Sequence, residues 1–353
     1  MPVTAETLAL VAAARAALDG VADGVARALT AAWVTAWDRL ALDLVLALDE
    51  VLAATGGGGW PSRAQIVRAA RLQAALEATA RALDELTATA RAQATAAARR
   101  AAEEGAATQA HLIATQLPYG AAQAVTLSRL ARWSERDLAA IVARTAERIT
   151  ATSRPLSADA DAAMRRELVR GVAVGAHPNE AARRMLTRLE GAFNGGLTRA
   201  VTIARTEMLD AHRQAAQASQ AVHGEVLSGW VWVASLTRTS CGACWAMHGT
   251  EHPSSEPGPL GHPRCRCSRT PVVKPWQELG INVPEPPSVI PDAQATFREL
   301  PRADQVHILG RGRLAAWERG DVAWRDLATR RDNPDWRPSY VPTPVRQLAK
   351  EGC

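Results

Sequence analysis

Aromatic residues make up only 4% of this 353-residue chain, with two Tyr and two Phe beside eleven Trp, although 47% of it is hydrophobic. Alanine carries much of that apolar share, and alanine favours helix while burying little area. A thick aromatic core is therefore excluded, and long helices with thin packing seams are expected. No run of 18 consecutive apolar residues exists, and the N-terminus lacks a basic start followed by an apolar run and a cleavage site. A membrane span and a secretory signal are not expected. The charge excess is small, +5 with a pI near 9.3, which permits contact with a polyanion without demanding it. Cysteine is scarce and unevenly placed: Cys241, Cys244, Cys265 and Cys267 share one short window, and Cys353 ends the chain. In a chain without an export signal, such a cluster points to metal ligands before disulfides.

Proline is absent from Thr4 to Ala53, where Leu18, Val21, Val25, Leu29, Trp33, Trp37, Leu40, Leu44 and Val51 recur on one helical face. This stretch is expected to be one long amphipathic helix, with Gly20 and Gly24 as places for a bend. Gly56 to Gly59 and Pro61 end it. Ser62 with Gln65 three residues later has the form of a capping box, which starts a second long helix running to about Gln116. A rod of ~50 residues is roughly 75 Å long and suits reach towards a partner. Shorter helices follow from about Ala121 to Val222, punctuated by Pro155 and by Gly171 to Asn179. Gly229 to Ser235 then alternates Trp and Val, the pattern of a strand. Pro275, Pro284, Pro286, Pro287 and Pro291 exclude a continuous helix and predict a linker or an arm draped over the surface. From Asp292 onward helical patterning returns.

The fold class is therefore mainly α with a small α+β domain stapled by metal. The expected domains are a helical hairpin over 1–120, a domain with the Cys/His cluster over 121–273, a Pro-rich linker over 274–291 and a short helical module over 292–353.

The chemistry lies in Cys241-Gly242-Ala243-Cys244 and, about twenty residues on, His262-Pro263-Arg264-Cys265-Arg266-Cys267. Two cysteines separated by two residues direct both sulfurs at one ion, and a second soft pair closes a tetrahedron, the pattern of zinc. Five donors exceed the four needed. Cys241 and Cys244 are the firmest; the other two come from His262, Cys265 and Cys267. The loop between the halves holds Pro253, Pro257, Gly258, Pro259 and Gly261, so binding of the ion would offset its ordering cost. A filled site leaves no position for water, which makes the ion structural. His248 beside it is expected to be a packed histidine in a turn, since a nuclease would need a second histidine and a carboxylate, for which Glu251 and His252 are a loose substitute. Arg264, Arg266 and Arg269 flank the second ligand pair and are candidates to touch DNA phosphates. Arg205 and Glu207, two apart on a helix, point to different sides; a buried bridge from Arg205 to the metal lobe is expected.

Taken together, Ala204-Arg205-Thr206-Glu207 on a helix, Trp232-Val233-Ala234 on a strand, the Cys241/Cys244 pair, His248-Gly249, and His262-Pro263 with Cys265-Arg266-Cys267 resemble the Mu F-like minor head protein domain of tailed phages. The resemblance covers about 165 to 273 and is firmest from 203 to 271; Gly171 to Glu180 looks like the family's helical approach, and Gln305 to Asp326 like a segment often appended to it. Where many members place an Asp after the strand, this chain has Thr237-Arg238-Thr239. The resemblance implies a minor capsid protein of a phage or prophage, held at the portal vertex inside the head. Its implied partners are the portal oligomer, other capsid or scaffold proteins and double-stranded DNA, with no membrane. The competing expectation is an enzyme: a metal-dependent nuclease using His248, or an injected effector carried in the head.

Overall fold

The computed structural model describes residues 3–54, 61–120, 134–153, 160, 166, 170, 178–333 and 336–348. The Gly56–Gly59 break, Pro155, the Gly171 to His177 approach and Cys353 lie outside the described residues. Helix α1 runs Ala5–Ala53 without a break at Gly20 or Gly24, as its unbroken periodicity dictates. Ser62 and Gln65 form the expected reciprocal cap: the Gln65 backbone N–H donates to Ser62 Oγ at 3.3 Å, and the Ser62 N–H donates to Gln65 Oε1 at 2.8 Å. The helix behind it comes in two pieces, α2 Arg63–Arg68 and α3 Ala70–Ala114. Two further helices follow, α4 Glu135–Thr152 and α5 Pro178–Ala221. No helix among the described residues is long and apolar enough to cross a membrane.

Packing divides the chain into two units that do not follow the expected boundary at residue 120: one takes residues 1–20, 98–145 and 206–353, the other 21–97 and 146–205. The second unit is helical. Leu29, Trp33, Ala36, Leu40, Leu44, Ala47 and Val51 of α1 step by three and four residues and close over Leu72, Leu83 and Leu86 of α3 and Leu189 and Phe193 of α5. Trp33 supplies the bulk that alanine lacks, and its indole N–H donates to the Phe193 carbonyl at 3.1 Å. Arg205 pairs with Asp23 of α1, so the expected bridge from Arg205 to the metal lobe is corrected.

The other unit is built on a three-stranded antiparallel sheet of order β2-β1-β3, from β1 Leu227–Val233, β2 Glu251–His252 and β3 Ser268–Val273. The alternation read in β1 sorts its side chains. Val231 and Val233 join Val3, Val11, Leu112 and Val272 in one cluster, while Trp230 and Trp232 join the cysteines in another. Val3 and Val11 are why the start of α1 belongs here and not with the rest of its helix. Ala98, Ala102 and Ala106 of α3 meet Ala211 and Ala215 of α5, a small-residue seam so close that a Cβ at Gly105 would lie 2.4 Å from the His212 carbonyl oxygen. The Pro-rich arm is pinned to this unit: the Trp276 indole N–H donates to the Gln116 carbonyl at 2.9 Å, and the Val289 N–H to Val3 at 3.0 Å.

The C-terminal module is not purely helical. After α6 Gly242–Met247 in the cysteine window come α7 Ala293–Glu299, α8 Arg302–Leu309 and α9 Arg311–Glu318. A 3-10 turn then leads into an antiparallel hairpin, β4 Ala328–Asn333 with β5 Trp336–Pro342, before the short α10 Val345–Leu348. Nor does the module stand alone, because Trp245 and Ala246 of α6 share its core with Phe297, Leu309, Leu314 and Leu327. The edge of β5 is claimed too: the Tyr340 N–H donates to Leu260 at 2.9 Å.

Candidate metal centre

Short local devices aim the donors. Cys241 sits at the N-cap of α6, where its sulfur accepts the Cys244 backbone N–H at 3.4 Å, and the helical turn sets the two sulfurs 3.5 Å apart. Gly242 between them is needed for packing: a Cβ there would meet Leu309 Cδ2 at 2.9 Å and the Ile308 carbonyl oxygen at 3.2 Å, where the C-terminal module seats. The second half is a turn in which Arg264 adopts a left-handed φ of 63° and the Cys265 N–H reaches back to the His262 carbonyl at 3.0 Å. Hydroxyls close the turn ahead of Cys241, with Ser240 Oγ 2.9 Å from Ser235 Oγ and accepting the Thr237 N–H at 3.4 Å.

All five donors converge. Cys241, Cys244 and His262 form one triad and Cys244, Cys265 and Cys267 another, each with its donor atoms within 4.8 Å of one another, so Cys244 is common to both. His262 Nε2 lies 3.0 Å from Cys241 Sγ and 3.5 Å from Cys244 Sγ, and Cys265 Sγ lies 3.7 Å from Cys244 Sγ. Bond lengths of about 2.3 Å to sulfur and about 2.0 Å to nitrogen require tetrahedral edges of roughly 3.5 to 3.8 Å; the separations of Cys244 from Cys241, His262 and Cys265 fit an ion of that size, while His262 and Cys241 at 3.0 Å would have to part by about half an ångström to admit it. The His262 tautomer fits as well: Nδ1 donates to the Pro263 carbonyl at 2.8 Å, which directs the Nε2 lone pair at the sulfurs. This buried Cys/His cluster can hold a metal ion.

The electrostatics suit a cation. The Cys241 thiol is pulled down to about 5, chiefly by the hydrogen bond from Cys244 and against the effect of burial, with His262 adding to the pull. Cys265 is held well below the ordinary thiol range by hydrogen bonds from Cys244 and Cys267, and Arg213 reinforces this. Burial pushes His262 down, but its bond to Cys241 and the charges of Cys265 and Cys241 outweigh that and raise it to about 9. Cys244 and Cys267 go the other way, well above the ordinary thiol range: Cys244 through its hydrogen bonds to Cys241, Cys265 and Cys267, and Cys267, against the pull of Cys244, through Cys265 and burial. The two ionised sulfurs need positive charge close by.

Of the arginines expected at DNA, Arg264 and Arg266 are exposed, and Arg266 pairs with Asp19 at 3.2 Å. Arg269 is corrected. It is 1% exposed, stacks over Trp230 at 4.5 Å, and donates to Gln220 Oε1 at 2.7 Å and to the carbonyls of Ser254 at 2.8 Å and Glu256 at 2.7 Å. Burial lowers its pKa to about 9, opposed by Glu256. It organises the Pro-rich loop from inside and cannot meet DNA. His248 is buried, with Nδ1 accepting the Ala234 N–H at 3.0 Å, and burial lowers its pKa to about 4. Its place is that of a packed histidine at the C-cap of α6.

One face of α5 carries a row of anchors in which Thr206 and Glu207 belong to the motif read from the sequence and Asp210, Arg213 and Gln220 were missed. Thr206 Oγ1 accepts the Arg264 N–H at 3.2 Å, Glu207 and Asp210 pair with Arg337 of β5, and Arg213 donates to the carbonyls of Cys265 and, at 3.1 Å, Cys267. Gln220 completes the row through Arg269. Spacing was the available signal: 206, 210, 213 and 220 recur at three, four and seven residues on the helix that bears the Arg-Thr-Glu motif.

Residues 162–270 match the family model for Phage Mu protein F like protein. The Mu F-like match spans less than a third of the chain and ends at Thr270, inside β3, so it contains α6, both ligand pairs and the whole α5 anchoring row. It supports the family resemblance and, with it, a part in phage head morphogenesis. Neither the curated proteins nor the solved structures compared with the chain match it.

Proposed function

We propose that this chain is a minor capsid protein that acts during head morphogenesis at the portal vertex inside the phage head, with a structural zinc in the Cys/His cluster and no catalytic turnover. The observation that carries the reading is the Mu F-like match across a segment whose five soft donors form two triads that share the buried Cys244. Zinc is the ion that thiolates and an imidazole at tetrahedral spacing favour. Four donors from Cys241, Cys244, His262, Cys265 and Cys267 would fill its coordination and leave no position for an attacking water. Exposed Arg264 and Arg266 then offer packaged DNA two cations. The experiment is copurification of the tagged full chain with the portal oligomer or the procapsid. Absence of the chain from purified procapsids and virions alike would overturn the proposal.

The nuclease alternative finds no support at His248, whose Nδ1 already accepts a backbone N–H. Plasmid cleavage with a divalent metal that is abolished by His248→Ala would nevertheless reverse the choice between the two.

A further inference from the structure

Four of the large hydrophobic residues exposed among the described residues fall within one stretch of α1: Val34 at 53%, Leu42 at 61%, Val45 at 37% and Leu46 at 40%. At ~100° per residue they occupy a sector of roughly 120°, directly opposite the seam of Trp33, Leu40, Leu44 and Ala47 that enters the helical core. Two exposed carboxylates, Asp38 and Asp49, lie inside the same sector. Neither has an ion-pair partner among the described residues. They are eleven residues apart, about 16 Å along the helix.

That combination selects its occupant. Covering the apolar residues also takes both carboxylates out of water, which is tolerable only if the covering surface brings cations to them. A second copy of this helix fails the requirement. The antiparallel register that lays Leu42 on Val45 sets Asp38 opposite Asp49 twice, the one that lays Leu42 on Leu46 brings Arg39 to Asp49 but Glu50 to Asp38, and an in-register parallel pair sets each Asp against itself, so none of these supplies cations to both carboxylates. A helix with its own apolar seam and Lys or Arg at positions eleven apart satisfies both needs. We propose that this face of α1 docks a basic amphipathic helix of another protein.

The inference stands apart from the head-protein reading, and its test needs no phage head. The full chain is titrated against two fluorescein-labelled 18-residue helical peptides that share a leucine seam and carry, at two positions eleven apart, either Lys or Glu. Because the whole chain carries a net charge of +5, its long-range field favours the Glu peptide. Preference for the Lys peptide therefore reports the local face. The expected result is at least tenfold tighter binding of the Lys peptide, weakening with salt, and at least tenfold loss in the Leu42→Gln/Leu46→Gln variant. Asp38→Lys/Asp49→Lys should transfer the preference to the Glu peptide. All four positions are exposed, so helix content by circular dichroism should stay unchanged. Equal or absent binding of the two peptides, binding that survives the double Gln variant, or sedimentation showing a dimer that this variant disperses would overturn the proposal.

Discussion

Replacing Arg337 by Met tests how the C-terminal hairpin is tied to the metal lobe. Arg337 projects from β5, 16% exposed in its side chain, onto Glu207, 1% exposed, and onto Asp210 one helical turn further along α5. Methionine keeps most of the aliphatic stem, so the packing loss is small and the charge effect dominates. An exposed ion pair contributes up to about 1 kcal/mol, whereas stripping one partner from a buried pair costs about 3 to 5 kcal/mol because the remaining charge stays desolvated. Glu207 belongs to the second case. Global unfolding is a poor assay in a chain with two compact units, since two-state behaviour is not assured. Amide exchange in β4 and β5 reads the local opening instead, and a 3 kcal/mol loss accelerates it on the order of 100-fold. In the Glu207→Gln/Arg337→Met double variant the buried Glu207 charge is gone and Asp210, 17% exposed, is the carboxylate that still loses Arg337, so the combined cost should fall at least about 2 kcal/mol short of the sum of the singles, by the reasoning of a mutant cycle. Exchange unchanged within about threefold in Arg337→Met, or strictly additive costs, would refute this account.

Gly105→Ala pits helix propensity, a gain of about 1 kcal/mol, against a Cβ 2.4 Å from the His212 carbonyl oxygen; overpacking at about 1 to 3 kcal/mol should win, and a higher melting temperature would contradict it. Cys241→Ser should lower the metal content found by elemental analysis and loosen residues 241–271 to amide exchange while the Leu29 to Val51 seam keeps its protection; unchanged stoichiometry would remove Cys241 from the ligand set. Acid should destabilise the sheet-bearing unit through His212 and His248, both lowered to about 4 by burial. Their folded pKa lies below the unfolded 6.5, so the neutral ring is the folded form. The stability this confers is complete above about 6.5 and is lost as pH falls from there towards 4, at about 3 kcal/mol per histidine. Stability of the His212→Gln/His248→Gln variant with the same slope over that range as the parent would exclude these two groups.

What could be read from the sequence was set by period and spacing. The seam of α1, the Ser62/Gln65 cap, the Trp/Val alternation of β1 and the two ligand pairs are local patterns, and each occurs where expected. Long-range pairings escaped. Nothing local in Arg269 separates a buried organiser from a surface cation, since its surroundings are Trp230, Gln220 and loop carbonyls far away in the chain. The hairpin of β4 and β5 was missed because its outward side chains, among them Arg330 and Arg331, lack the apolar alternation of a half-buried strand. Likewise the boundary at residue 120 presumed that a helix belongs wholly to one core, whereas Val3 and Val11 commit the start of α1 to the sheet and Leu29 onward commit the rest to the bundle.

The loop between the ligand pairs shows how two sources of order combine. Residues 253–261 are rich in Pro and Gly and have little apolar surface to bury, yet two buried guanidiniums reach carbonyls on either side of the turn, Arg269 those of Ser254 and Glu256 and Arg213 those of Cys265 and Cys267. Hydrogen bonds from charged donors contribute about 1.5 to 3 kcal/mol each, so four of them offset ordering of only a handful of residues at about 1 to 2 kcal/mol per residue. Tyr340 and Trp230 add ties at Leu260 and Glu256, and the cluster of thiols and imidazole at the ligand turn has the chemistry to add another by taking a cation. Arg213 belongs to both arrangements: it holds the ligand turn by its carbonyls and lowers the Cys265 thiol by its charge. The Mu F-like match over residues 162–270 takes in both arrangements, the anchoring helix with Arg213 and the soft donors that its charge and hydrogen bonds hold.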